Sequence, residues 1–84
     1  MKDEIERTIR RLFLKGDTRV VIKTDTDLLA NGICDSLGLV ELVDALEQSH
    51  PGLRIPDQDV TPANLGSVDR IASYLSKRLP GAAP

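Results

Sequence analysis

The chain has 84 residues, 40% hydrophobic, 29% charged and 2% aromatic, with a formal net charge of −2, which is the composition of one small globular domain. That length excludes a doubly wound sheet, a TIM barrel or an α/β-hydrolase, so function has to reside on a surface or on one attached group. One cysteine, Cys34, excludes a disulfide framework and a cysteine-rich zinc site, and no apolar run nears the roughly 20 residues of a membrane span.

Charge is unevenly spread. Residues 1–23 carry seven of the eleven basic side chains, whereas Thr24 to Leu53 holds no Lys or Arg but contains Asp25, Asp27, Asp35, Glu41, Asp44 and Glu47. An acidic centre suits basic protein partners and opposes nucleic acid, and with Phe13 and Tyr74 as the only aromatics base stacking is disfavoured too. Met1-Lys2-Asp3-Glu4 lacks the basic-then-apolar start of a signal peptide, so a cytoplasmic location is expected.

Ile5, Ile9, Leu12 and Phe13 recur at i, i+4, i+7 and i+8, predicting a first helix over 3–14 that ends at Gly16-Asp17. The stretch to Cys34 is rich in Asp, Thr, Asn and Gly and reads as a long ordered loop anchored by Leu28 and Leu29. Val20-Val21-Ile22 has strand-like residues but no second such run to pair with, so a strand is not expected. Asp35 is a good N-cap for a second helix from Ser36 to about Gln48, stopped by Pro51. Its core stripe is Leu39, Leu42, Val43 and Leu46, which leaves Leu37, Val40, Glu41, Asp44 and Glu47 on a mixed apolar and acidic face. Leu53, Ile55 and Val60 read as inward loop anchors. Thr61-Pro62 starts a short third helix ending at Gly66, and Ser67 caps a fourth whose stripe is Val68, Ile71, Ala72, Leu75 and Leu79. The expected fold is all-α, a bundle of three main helices plus one short one, with residues 1–79 as a single domain and 80–84 as a flexible tail.

Enzymatic arrangements fail on chemistry or reach. Cys34-Asp35-Ser36-Leu37-Gly38 approaches a nucleophile elbow, yet Cys34 stands at the first glycine position and no strand precedes it. Along one helix, Asp44 and His50 would lie roughly 12 Å and 21 Å from Ser36, too far for a triad. Asp25-Thr26-Asp27 begins like a calcium loop, but Leu29 and Ala30 occupy a ligand and the glycine position. His50 is a lone histidine at a helix end, and Cys34 reads as a small buried hydrophobe. Ser36 stands apart. A phosphate esterified to it would meet the unpaired N–H groups and positive dipole end of the second helix, although a serine there usually serves only the helix start.

Leu28-Leu29-x-x-Gly32-Ile33-x-Asp35-Ser36-Leu37-Gly38-Leu39-Val40-Glu41-Leu42-Val43 resembles the phosphopantetheine attachment region of acyl carrier proteins, whose hallmark is Asp-Ser-Leu at the start of the second helix. Ile55-Pro56-Asp57 and Ser67-Val68-x-x-Ile71-x-x-Tyr74-Leu75 are similar to the same family, so the resemblance covers nearly the whole chain. It implies a carrier and not an enzyme. Ser36 would take 4′-phosphopantetheine from coenzyme A through a phosphopantetheinyl transferase, with Asp35 orienting it. Leu37, Val40, Glu41, Asp44 and Glu47 would form the recognition helix for a loading ligase or transferase and for a ketosynthase or other tailoring enzymes. A monomer is expected.

Gly38 and Leu39 replace polar residues common at this point in fatty-acid carriers. Asp-Ser-Leu-Gly is similar to free-standing carriers of specialised pathways, polyketide biosynthesis among them, and to D-alanyl carriers loaded by adenylating ligases. The Gly-Gly-(His/Asp)-Ser pattern of nonribosomal assembly lines is absent. The alternatives are thus an aminoacyl or D-alanyl carrier and, in another class, an unmodified helical interaction module. Gly inside a helix costs up to about 1 kcal/mol relative to Ala, so Gly38 needs a reason. The expectation is that its missing side chain leaves room for a partner or cargo group.

Overall fold

A computed structural model describes residues 2–79. Met1 and the 80–84 segment read as a tail lie outside the described residues. Four α-helices form in chain order: α1 Lys2–Phe13, α2 Ser36–Ser49, α3 Pro62–Leu65 and α4 Val68–Arg78. A 3-10 turn at Asp57–Asp59, absent from the sequence reading, precedes α3. There is no strand among the described residues, so the fold is the expected small all-α bundle.

Local chemistry sets the helix ends. Asp3 and Glu4 lie in the first turn of α1 and Arg10 and Arg11 in its last, each complementing the helix dipole. The chain then turns out of the helix at Lys15 and Gly16, whose φ angles of 52° and 78° are left-handed, with the Gly16 N–H donating to Arg10 O at 2.9 Å. Thr61 and Ser67 cap α3 and α4 by accepting from Asn64 N–H and Arg70 N–H. Pro62 begins α3, where its missing N–H costs nothing.

The 17–35 segment satisfies its backbone without a sheet. The Arg10 guanidinium donates to Asp17 O at 2.9 Å and Val20 O at 2.7 Å. Leu28 is the central anchor: its side chain is fully buried, its N–H donates to Gly66 O at 2.8 Å, and its carbonyl accepts from Ile33 and Cys34. Leu29, expected beside it, is only half-buried. Ile22 is an anchor the sequence reading missed, buried while its neighbour Val21 stays 75% exposed. Asp69 N–H donates to Thr24 O at 2.8 Å and ties this loop to α4.

The core gathers Ile5 and Ile9 of α1, Leu42 and Leu46 of α2, Leu65 of α3, and Ile71 and Leu75 of α4, closed by Leu28 and Leu53 from the connections. Each such side chain contributes about 1.5–3 kcal/mol of burial. α1 packs on both α2 and α4, and α3 packs on α4. Val60 lies half-buried, less deep than Leu53 and Ile55. His50 Nε2 stands 3.1 Å from Glu4 Oε1, bringing the end of α2 to the start of α1. No described helix is long and apolar enough to cross a membrane.

Candidate functional site

The first turn of α2 is built around Asp35. Its backbone is extended (φ −114°, ψ −177°), and its carboxylate accepts the Gly38 N–H at 2.7 Å. Because Asp35 performs the capping, the Ser36 hydroxyl is not needed for the helix end. Ser36 is exposed, as are Asp35 and Leu37 on either side.

Two open grooves meet at Ser36. One, of 610 Å³, lies between the end of α1, the preceding loop and the start of α2, with Leu12, Phe13, Leu29 and Ile33 as its apolar wall. The other, of 470 Å³, runs along α2 from Ser36 to Glu47 against Ile55, Asp57 and Val60. Eleven helical steps span about 16 Å. Both grooves mix apolar and acidic lining residues, the acids being Asp35 and Glu41 in the first and Asp44, Glu47 and Asp57 in the second. Neither is lined by a Lys or Arg among the described residues. A third groove, on the other side of α2, brings Arg11 to the edge of Glu41 and Asp44.

The recognition strip expected from the sequence divides. Leu37 is 72% and Val40 51% exposed, an uncommon pair of large apolar side chains in water, and Glu41 and Asp44 are exposed with them. Glu47 differs. It is half-buried, and its carboxylate accepts the Ile55 N–H at 2.9 Å, so the acid holds the chain after α2 and does not stand free.

The space expected beside Gly38 is filled. Gly38 is buried, and a β-carbon there would stand 2.9 Å from Phe13 Cε1, 3.0 Å from Cys34 Sγ and 3.2 Å from Asp35 Oδ1. The glycine therefore permits close packing of the protein on itself and leaves no room for a cargo. Helical periodicity put Phe13 on the inner face of α1 but could not show which residue 25 positions on would receive its ring.

Cys34 is buried, as expected of a small hydrophobe. Burial, with the Asp35 and Glu41 charges adding, pushes its thiol up to about 11, far from a reactive thiolate. The described residues hold no cluster of three metal-ligating side chains. No family model matches the chain, and no curated protein and no solved structure matches it.

Proposed function

We propose that the chain is a free-standing cytoplasmic acyl carrier protein of polyketide or other specialised biosynthesis. Ser36 accepts 4′-phosphopantetheine, and partner enzymes dock on Leu37, Val40, Glu41 and Asp44. The observation that carries this reading is an exposed serine at the first position of α2, freed from capping by Asp35 and set where two grooves of mixed apolar and acidic lining meet. The near-full-length resemblance around Asp35-Ser36-Leu37 supports it.

The residues present fit such an arm. A phosphodiester on Ser36 would lie at the positive end of the α2 dipole, and the Ser36-to-Glu47 groove offers the arm a path about 16 Å long. In the loading step Ser36 Oγ forms a bond to phosphorus, the adenosine bisphosphate half of coenzyme A departs, and the hydroxyl proton passes to a base on the transferase. The arm, once attached, supplies a thiol that carries cargo as a thioester. The protein contributes the exposed serine, its fixed helix turn and a docking strip.

A second reading, an aminoacyl carrier loaded by an adenylating ligase, draws on the acids that line the grooves. An α-ammonium is accommodated there, whereas a second carboxylate on the cargo is repelled.

Incubation with coenzyme A and a broad-specificity transferase tests the proposal by intact mass. Wild type should gain one phosphopantetheine and Ser36→Ala none, with the variant melting as wild type does. A folded wild type that gains nothing points to the unmodified interaction module.

A further inference from the structure

Three side chains converge on the bare α-carbon of Gly38. Cys34 and Asp35 come from the two residues before Ser36, and Phe13 comes from the end of α1. An alanine methyl would be too close to all three, since carbon contacts normally settle near 3.5–4.0 Å. At the same residue the Gly38 N–H donates to Asp35 Oδ1 at 2.7 Å, so Ser36 lies inside a short loop held at both ends.

We propose that Phe13 is a positioning residue for Ser36: its ring rests on Gly38, fixes the first turn of α2 against α1, and so sets the direction of the Ser36 hydroxyl. This rests on the carrier reading. It explains why a glycine is kept where alanine would favour the helix by up to about 1 kcal/mol. Phe13 is the contact able to yield, because it is a half-buried ring edge, whereas Cys34 is buried and Asp35 is engaged as the cap. A methyl at position 38 drives that ring towards the groove that Phe13 and Ser36 line together. Of the exposed strip, Leu37 and Glu41 border that same groove, whereas Val40 and Asp44 line the neighbouring one and keep their form.

The experiment is transferase kinetics with coenzyme A on wild type, Gly38→Ala, Phe13→Leu and the double variant, at a temperature where circular dichroism finds each folded. Gly38→Ala should lower kcat by at least about tenfold, within the roughly hundredfold that a 1 Å misplacement costs. KM should change less than kcat, because Val40 and Asp44 of the docking strip lie on the other groove. Phe13→Leu removes both the brace and the colliding ring edge, so it should itself lower kcat, and Gly38→Ala should then lower kcat by less than it does in wild type, with Cys34 Sγ and Asp35 Oδ1 still close. A merely structural contact would lower the melting temperature and leave kcat unchanged. Wild-type kcat in Gly38→Ala or in Phe13→Leu overturns the proposal, as does a Gly38→Ala effect as large in the Phe13→Leu background as in wild type. Should Gly38→Ala not fold, the double variant must fold and load, and failure of either overturns it. A wild type that takes no arm overturns the carrier reading. The Gly38–Phe13 contact is then judged from melting temperatures alone: non-additive effects of the two substitutions support it, and additive ones overturn it.

Discussion

The Glu47 carboxylate accepts the Ile55 N–H at 2.9 Å, joining the last turn of α2 to the segment that forms the far wall of the groove reaching Ser36. An acid that helical periodicity places on the mixed face of α2, and that the resemblance assigns to docking, thus holds the groove in shape. Glu47→Ala should leave a part-buried amide without its acceptor, costing about 1–3 kcal/mol. In a domain of this size each kcal/mol lowers the melting temperature by roughly 4–8 °C. Glu41→Lys changes an exposed site and should move stability by no more than about 0.5 kcal/mol. It should instead slow transfer to basic partner enzymes and flatten the dependence of that rate on ionic strength. Melting curves and transfer rates on the two variants separate these roles, and equal melting losses would contradict the assignment.

The Tyr74 hydroxyl donates to Asp59 Oδ2 at 2.7 Å, tying α4 to the 3-10 turn before α3. Burial and the bond to Asp59 both raise the Tyr74 pKa, so the phenol stays a donor across the physiological range. Tyr74→Phe keeps the ring packing and removes only this bond. It should cost about 1.5–3 kcal/mol, the worth of a hydrogen bond to a charged group, and thermal denaturation measures it directly. A variant that melts with wild type would mean that Asp59 finds water at no loss.

Most of the helical fold is legible in the sequence because its signals are local. Asp35, Thr61-Pro62 and Ser67 announce helix starts through side chains acting within three residues, and apolar spacing marks the face each long helix buries. The attachment candidate, Ser36, comes from the resemblance around Asp35-Ser36-Leu37, since a serine at a helix start by itself usually serves only that start. The illegible parts are long-range. Nothing near Gly38 shows that Phe13 will lie on it, and nothing in the α2 pattern distinguishes Glu47, bound to Ile55, from Glu41, free in solvent. The 17–35 loop hides its anchors for the same reason, since Ile22 is buried and Thr24 is bonded to Asp69 only once α4 arrives.

Lys2 Nζ lies 2.8 Å from Asp69 Oδ1, bridging the start of α1 to the first turn of α4. The hydrogen bond from Lys2 is the leading cause that holds the Asp69 carboxyl below its ordinary value of 3.8, with the Lys2 charge and the Thr24 hydroxyl adding and desolvation opposing. A folded-state pKa below the unfolded one means that the pair stabilises the fold above the unfolded pKa. That contribution is lost as the pH falls through the folded value. Lys2→Gln should therefore raise the Asp69 pKa, measured by carboxyl NMR, and so should high salt acting on the wild type, because the pair is exposed and screened. An Asp69 titration unchanged in Lys2→Gln would remove Lys2 as the cause.

Asp35 combines two tasks that substitution can separate. Asp35→Ala removes the acceptor of the Gly38 N–H and should cost about 0.5–2 kcal/mol, as the loss of an N-cap does. Asp35→Asn retains an acceptor oxygen and caps nearly as well, losing only the charge at the helix N-terminus, worth about 0.3–1 kcal/mol. On the carrier reading that charge also faces the transferase, because Asp35 is exposed beside Ser36. Loading of Asp35→Asn should then fall roughly tenfold or more, the rate equivalent of a charged hydrogen bond, while its melting temperature falls by no more than the roughly 1–8 °C that the lost helix-end charge costs. An Asp35→Asn chain that loads at the wild-type rate confines Asp35 to the cap and leaves recognition to Leu37, Val40, Glu41 and Asp44.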